Sequence, residues 1–266
     1  MSNNAPIGVF DSGIGGLTVV KELLELMPEE NFIYFGDTAR VPYGPRPKEQ
    51  ILKFMHEILH FFAEHKVKMA VVACNTMTAL GLEMARKQYP FTLVGVNAGV
   101  DLAISKSKNN KIGVLATQAT ISSGKHVKDA QVRDKETMVY PQACPKLVPL
   151  IEDKKLEGTE IESAVAEYVL PMQQAGVDMI ILGCTHYPLV SAVIEKVVGP
   201  GVILIDPARE TALEAYRILR EQDNLTDMKS GKVQLCFSAD LEQAKKMAVL
   251  MLDTQSVDFT LVKLQE

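Results

Sequence analysis

Two of the four cysteines sit in matched settings. Cys74 ends the apolar run "MAVVAC" and precedes Asn75 and Thr76. Cys184 ends "MIILGC" and precedes Thr185 and His186. In open parallel sheets, ligands bind beyond the carboxyl ends of the strands. A thiol there, at the start of a helix, feels the positive end of the helix dipole, which favours thiolate. Such a group gives or takes a proton near neutral pH. Two of them on opposite faces of one carbon would invert it through a planar intermediate, exchanging acid and base roles in reverse. Free helix N–H groups beside each thiol suit a substrate carboxylate. The plain alternative is that both cysteines are small buried hydrophobes.

The elements that must position these thiols alternate. "PIGVF", "NFIYFGD", "MAVVAC" and "TLVGV" read as buried strands, separated by a Gly-rich turn and helices. The helix over 48–66 carries Ile51, Phe54, Met55, Ile58 and Phe62 on one stripe. Alternating strands and helices imply a parallel sheet covered on both faces. "KIGVLA", "MVYPQ", "MIILGC" and "VILID" then repeat the plan. Ile7 to Cys74 spans 67 residues and Ile112 to Cys184 spans 72. Tyr34 and Tyr140 are matched landmarks, and Cys74 to Val94 and Cys184 to Leu204 each span 20 residues. The reading is an α/β protein of two similar doubly wound parallel-sheet domains, related by duplication, with the site in the cleft between them. The first comprises 1–97 plus 207–266; the second, 98–206. After Asp206 two helices and one strand, "KVQLCFS", lie outside the repeat and are expected to pack on the first domain.

A net charge of −5 and a pI near 5.6 leave no electrostatic footprint for nucleic acid. No apolar run approaches the roughly 20 residues that span a bilayer. "MSNNAPIGVFDSG" lacks the basic and apolar regions of a signal peptide, so a cytoplasmic protein is expected. Cysteines without CxxC spacing fit reduced thiols, and Cys144 and Cys236 read as structural.

The sequence resembles the glutamate racemases over nearly its whole length. The resemblance rests on "GVFDSGIGGLTV" (8–19), "YFGDTARVPYGPR" (34–46), "ACNTMTA" (73–79), "ACPKLVP" (143–149) and "LGCTHYPL" (182–189). It implies a cofactor-independent, metal-free isomerase that supplies D-glutamate for peptidoglycan. Cys74 would take the α-proton of D-glutamate and Cys184 that of L-glutamate, assisted by Asp11 and His186. Asp11, Ser12, Tyr43, Gly44, Asn75, Thr76, Thr117, Thr120, Thr185 and His186 would hold the substrate. The partner is then a small molecule, glutamate, with no nucleic acid or membrane, and the assembly a homodimer. Aspartate racemase is the nearest alternative enzyme. The family usually has a small residue at Met77, Glu-Pro at Asn97-Ala98, Gly at Ala116 and Tyr at His126. Taken singly, Asp11 and Ser12 could cap a helix, Tyr43-Gly44 could form a turn, and His186 could be a core histidine. "DSGIGG" lacks the GxGxxG spacing of a dinucleotide site.

"HEILH" (56–60) is a rival motif. On a helix His56 and His60 could bind zinc with Glu57 as base, Glu83 completing the ligands, as in a metallopeptidase. Its position on a polar stripe with Lys53 and Glu64 predicts a face turned to water. A binding protein for an acidic amino acid is a third possibility, against which the intact cysteine pair argues.

Overall fold

The computed structural model describes residues 3–264. The chain forms two compact units, Met1–Val96 with Ala208–Glu266, and Asn97–Pro207. The first begins with β1 (Ile7–Asp11), α1 (Leu17–Leu26), β2 (Phe32–Gly36), α2 (Lys48–Glu64), β3 (Met69–Val72), α3 (Asn75–Ala85) and β4 (Thr92–Gly95). The second holds α4 (Val100–Lys106), β5 (Lys111–Ala116), α5 (Gln118–Ser123), α6 (Lys125–Arg133), β6 (Met138–Ala143), α7 (Leu147–Glu152), α8 (Thr159–Gln174), β7 (Met179–Gly183), α9 (Ser191–Val198) and β8 (Ile203–Ile205). A 3₁₀ turn, Tyr187–Val190, precedes α9. The chain returns to the first unit as α10 (Ala208–Glu221), β9 (Val233–Phe237), α11 (Leu241–Ala248) and β10 (Val257–Leu261).

Both sheets are parallel, ordered β10-β9-β2-β1-β3-β4 and β6-β5-β7-β8. The four-strand order β2-β1-β3-β4 recurs as β6-β5-β7-β8, as duplication requires. Ile7 pairs with Met69 and Ile112 with Met179, and each cysteine follows its methionine by five residues. Other landmarks slip. Val9 pairs with Tyr34, but the counterpart pair is Val114 with Pro141, so Tyr140 is one residue out of register. Val94, opposite Val71, corresponds to Ile205, opposite Ile181, rather than to Leu204. A one-residue slip in a strand turns the side chain to the other face, so similar residues are a weaker guide there than ladder pairing.

The central strands β1, β2, β3 and β7 are buried throughout, which is why they read as unbroken apolar runs. The α2 stripe is buried against one face of the first sheet, with Phe62 edge-on to Phe10. In the second unit Val100, Ala103 and Ala130 pack against Ile112, Val114, Met179 and Ile181. The tail contains two strands, not one. "VDFTL" (257–261) extends the sheet as β10. As an edge strand it is only partly buried and shows mixed apolar and polar residues, so it lacks the apolar run that marks the central strands. The tail is tied down by the buried pair of Lys68 Nζ and Glu30 Oε2 at 2.6 Å. Lys68 also donates to the Asn224 carbonyl, and Glu30 Oε1 accepts from Thr226 N. Among the described residues no helix is long and apolar enough to cross a membrane.

Candidate active site

In the first unit the strand ends of β1, β2 and β3 lie side by side. Asp11 closes β1, fully buried, and its Oδ2 accepts from Gly13 N at 3.3 Å and Gly16 N at 3.0 Å. The Gly-rich turn thus wraps the carboxylate. A Cβ on Gly16 would fall 2.6 Å from the Asp11 Cβ, so only glycine fits. Tyr34 Oη fastens the same turn by donating to the Gly13 carbonyl at 2.6 Å.

Cys74 follows β3 as the N-cap of α3, and Asn75 and Thr76 fill the buried first turn. Its Sγ lies 3.9 Å from Ser12 Oγ, within reach of a weak S–H···O bond. The thiol therefore stands at the positive end of an eleven-residue helix.

The loop after β2 is built on Asp37. This buried carboxylate accepts from Arg40 Nε at 2.6 Å, Ser238 Oγ at 2.8 Å and, in a short contact, Tyr43 Oη. Burial first, then the Asp37 charge, pushes the Tyr43 phenol well above its usual range. Tyr43 is thus a neutral donor spent on Asp37. Its side chain shapes the loop, and what Tyr43-Gly44 can offer a ligand is backbone.

In the second unit Cys184 follows β7. Here the structure departs from the expected pattern. The next element is the 3₁₀ turn, with Tyr187 N bonded to the Cys184 carbonyl, and α9 begins only at Ser191. Pro188 lacks an N–H and stands in that first turn, which suits a tight 3₁₀ start. The electrostatic partner of Cys184 is instead a side chain. His186 Nδ1 lies 3.8 Å from Cys184 Sγ, and its Nε2 lies 2.6 Å from Glu152 Oε1 at the end of α7. Burial alone would push this imidazole down. The hydrogen bonds to Cys184 and Glu152 outweigh it and hold His186 well above the usual histidine range.

Thr117 caps α5, its Oγ1 lying 3.0 Å from Oγ1 of buried Thr120. Cys144 is buried and its thiol is pushed far up by that burial; Cys236 is pushed up to about 12 for the same reason. Both are poor nucleophiles, as structural cysteines should be. Glu152 was not among the residues singled out from sequence. It lies 34 residues before His186, and no local spacing marks it. Asp37 and Arg40 lie inside a quoted motif, yet only their convergence on one carboxylate gives them a role.

The "HEILH" residues serve α2 in other ways. His56 Nδ1 bonds Tyr89 Oη at 3.2 Å, Glu57 pairs with Arg40 and His60 is exposed beside Glu64. His56 is half-buried, so the motif does not lie wholly on a water-facing stripe.

Each of the two duplicated sheets ends in a thiol at the same ladder position. Residues 7–215 match the Asp/Glu/hydantoin racemase family, and the chain belongs to that family, whose members are isomerases. A glutamate racemase 1 from Caldanaerobacter subterraneus subsp. tengcongensis is 38% identical, covering 100% of this chain and 99% of that one. The crystal structure of a glutamate racemase isoform from Bacillus anthracis superposes with a TM-score of 0.92 at 34% identity, covering 98% of each chain. That of a glutamate racemase from Francisella tularensis in complex with D-glutamate gives 0.90 at 33% identity, again over 98% of each.

Proposed function

We propose that this chain is a glutamate racemase that interconverts L- and D-glutamate by proton transfer between two thiols. The observation that carries the reading is the equivalence of Cys74 and Cys184, one per duplicated sheet, in the same strand-end position. The names of the relatives, and the D-glutamate bound to the Francisella protein, support glutamate as substrate.

In this reading Cys74 removes the α-proton from one face of D-glutamate and Cys184 donates to the other; the roles reverse for L-glutamate. Asp11 assists Cys74 and His186 assists Cys184. Glu152 acts through His186 as a positioning residue, keeping the imidazole charged and aimed at the sulfur. Ser12, the Tyr43-Gly44 backbone, Asn75, Thr76 and Thr185 hold the carboxylates and ammonium. Thr117 and Thr120 contribute from the second unit. The scheme needs no cofactor. It belongs to the supply of D-glutamate for peptidoglycan in the cytoplasm, by an enzyme working as a homodimer.

The test is substitution of each thiol. Cys74→Ala and Cys184→Ala should each lower kcat by at least about a thousandfold, because one face then lacks its acid or base. Each variant should still bind glutamate. A coupled assay for D-glutamate, with aspartate as the competing substrate, measures both points. Near-normal turnover by either variant overturns the two-base mechanism, and faster turnover of aspartate overturns the choice of substrate.

A further inference from the structure

The duplication accounts for β1 to β4 and β5 to β8, but not for the returning tail. The tail nevertheless reaches the loop after β2. Ser238, the residue after β9, uses its hydroxyl twice: it donates to Asp37 Oδ1 at 2.8 Å and accepts from Ala39 N at 2.9 Å. Its backbone N donates to the Gly36 carbonyl at 3.1 Å. One residue on, the Ala239 carbonyl accepts from Thr38 Oγ1 at 2.7 Å, and Ala239 N donates to the same oxygen at 2.9 Å. Residues 36–39 are therefore bonded to the tail at five points.

That grip passes to the substrate-facing end of the loop through Asp37. Its Oδ1 is held by Ser238, while its Oδ2 holds Arg40 and Tyr43. Arg40 is braced from behind by Glu57 and stacks on Phe54, its Cζ 4.0 Å from the ring centroid. Arg46 Nε closes the turn onto the carbonyls of Arg40 and Pro42, at 2.9 and 3.2 Å. Ser238 is the side-chain donor to Oδ1, whereas Arg40 and Tyr43 both reach Oδ2.

We infer that Ser238 is a positioning residue: the C-terminal tail clasps the 37–46 loop and sets the Tyr43-Gly44 backbone for substrate. This rests on the proposed reading of Tyr43-Gly44 as a substrate-binding segment. A loosened loop weakens binding of the substrate and of the intermediate alike. The effect therefore belongs in KM for both enantiomers, with kcat little changed, because the thiols stand on other elements.

The experiment is steady-state kinetics of Ser238→Ala and Ser238→Thr, in both directions, on the full chain. S238A should raise KM about tenfold for L- and for D-glutamate, with kcat within about threefold of wild type. S238T keeps a hydroxyl and should restore KM to within about twofold. A destabilised fold would reduce the active fraction, and so kcat, with KM unchanged. That outcome, or an S238A KM within twofold of wild type, overturns the positioning role. A high KM that persists in S238T overturns it as well. A wild-type chain that fails to racemise glutamate overturns this inference together with the function it rests on. An active wild type with an unaffected S238A overturns this inference alone.

Discussion

At the residue scale the two thiols are equivalent in position but not in surroundings. Cys74 caps an α-helix and faces Ser12, with the wrapped carboxylate of Asp11 on the adjoining strand end. Cys184 has an imidazole instead, held well above the usual histidine range against burial by its hydrogen bonds to Cys184 and Glu152. Cys74 thus stands at the N-terminus of α3, whereas Cys184 has a side chain, His186, as its neighbour. Glu152 can be tested through pH. It raises His186, so Glu152→Gln should lower that pKa and move the alkaline limb of kcat/KM to lower pH. The enantiomers have equal free energy in water, so kcat/KM must shift equally in both directions. A pH profile of E152Q superimposable on that of wild type would show that Glu152 does not govern the site's charge.

At the element scale, Met77 and His126 occupy buried positions and Asn97 a half-buried turn. Met77 is fully buried in the α2–α3 core, where a small residue would leave space. Asn97 Oδ1 accepts from Gly99 N at 2.8 Å, fixing the turn into α4, where Gly99 adopts a φ of +69°. His126, on α6, is buried, and its Nε2 has no hydrogen-bond partner among the described residues. Burial lowers its pKa from 6.5 to about 4. The unfolded chain therefore binds a proton between those values that the folded chain refuses. This stability is present above pH 6.5 and lost as pH falls toward 4, by up to about 3 kcal/mol. Denaturant unfolding of wild type and His126→Tyr across pH 7 to 4 measures it. The wild type should lose stability more steeply, and parallel curves would exclude His126 as the titrating group.

At the scale of the whole molecule, the chain leaves its first unit after Val96 and returns at Ala208. The second unit is thus an insertion within the first, and the tail bonds to the loop that follows β2. The proposed mechanism requires a single glutamate to be reached by both thiols. Saturating glutamate should therefore slow alkylation of Cys74 and Cys184 together, read residue by residue by mass spectrometry. Cys144 and Cys236 serve as internal controls, since burial keeps them as slow-reacting thiols. Protection of one catalytic thiol alone would contradict a shared substrate.

Much of this was legible in the linear chain, and the reason is periodicity. Buried parallel strands are continuous apolar runs and covering helices are stripes, so β1, β2, β3, β7 and α2 stand out, and the methionine-to-cysteine spacing marks the duplication. The matched placement of Cys74 and Cys184 was legible because each follows a strand end that the pattern already marks, whereas Asp11 and His186 were singled out only by the resemblance to the glutamate racemases. Tertiary structure alone decided what depends on convergence from distant segments. Glu152 reaches His186 from the end of α7, Ser238 reaches Asp37 across 201 residues, and Glu57 reaches Arg40 from α2. It also decided the register of β6 and β8, where similar residues sit one position out of line, and the existence of β10. A hydrogen bond between remote residues leaves no period in a sequence, and an edge strand buries too little to write an apolar run. Local burial is encoded locally; the pairing of distant polar groups exists only once the chain has folded.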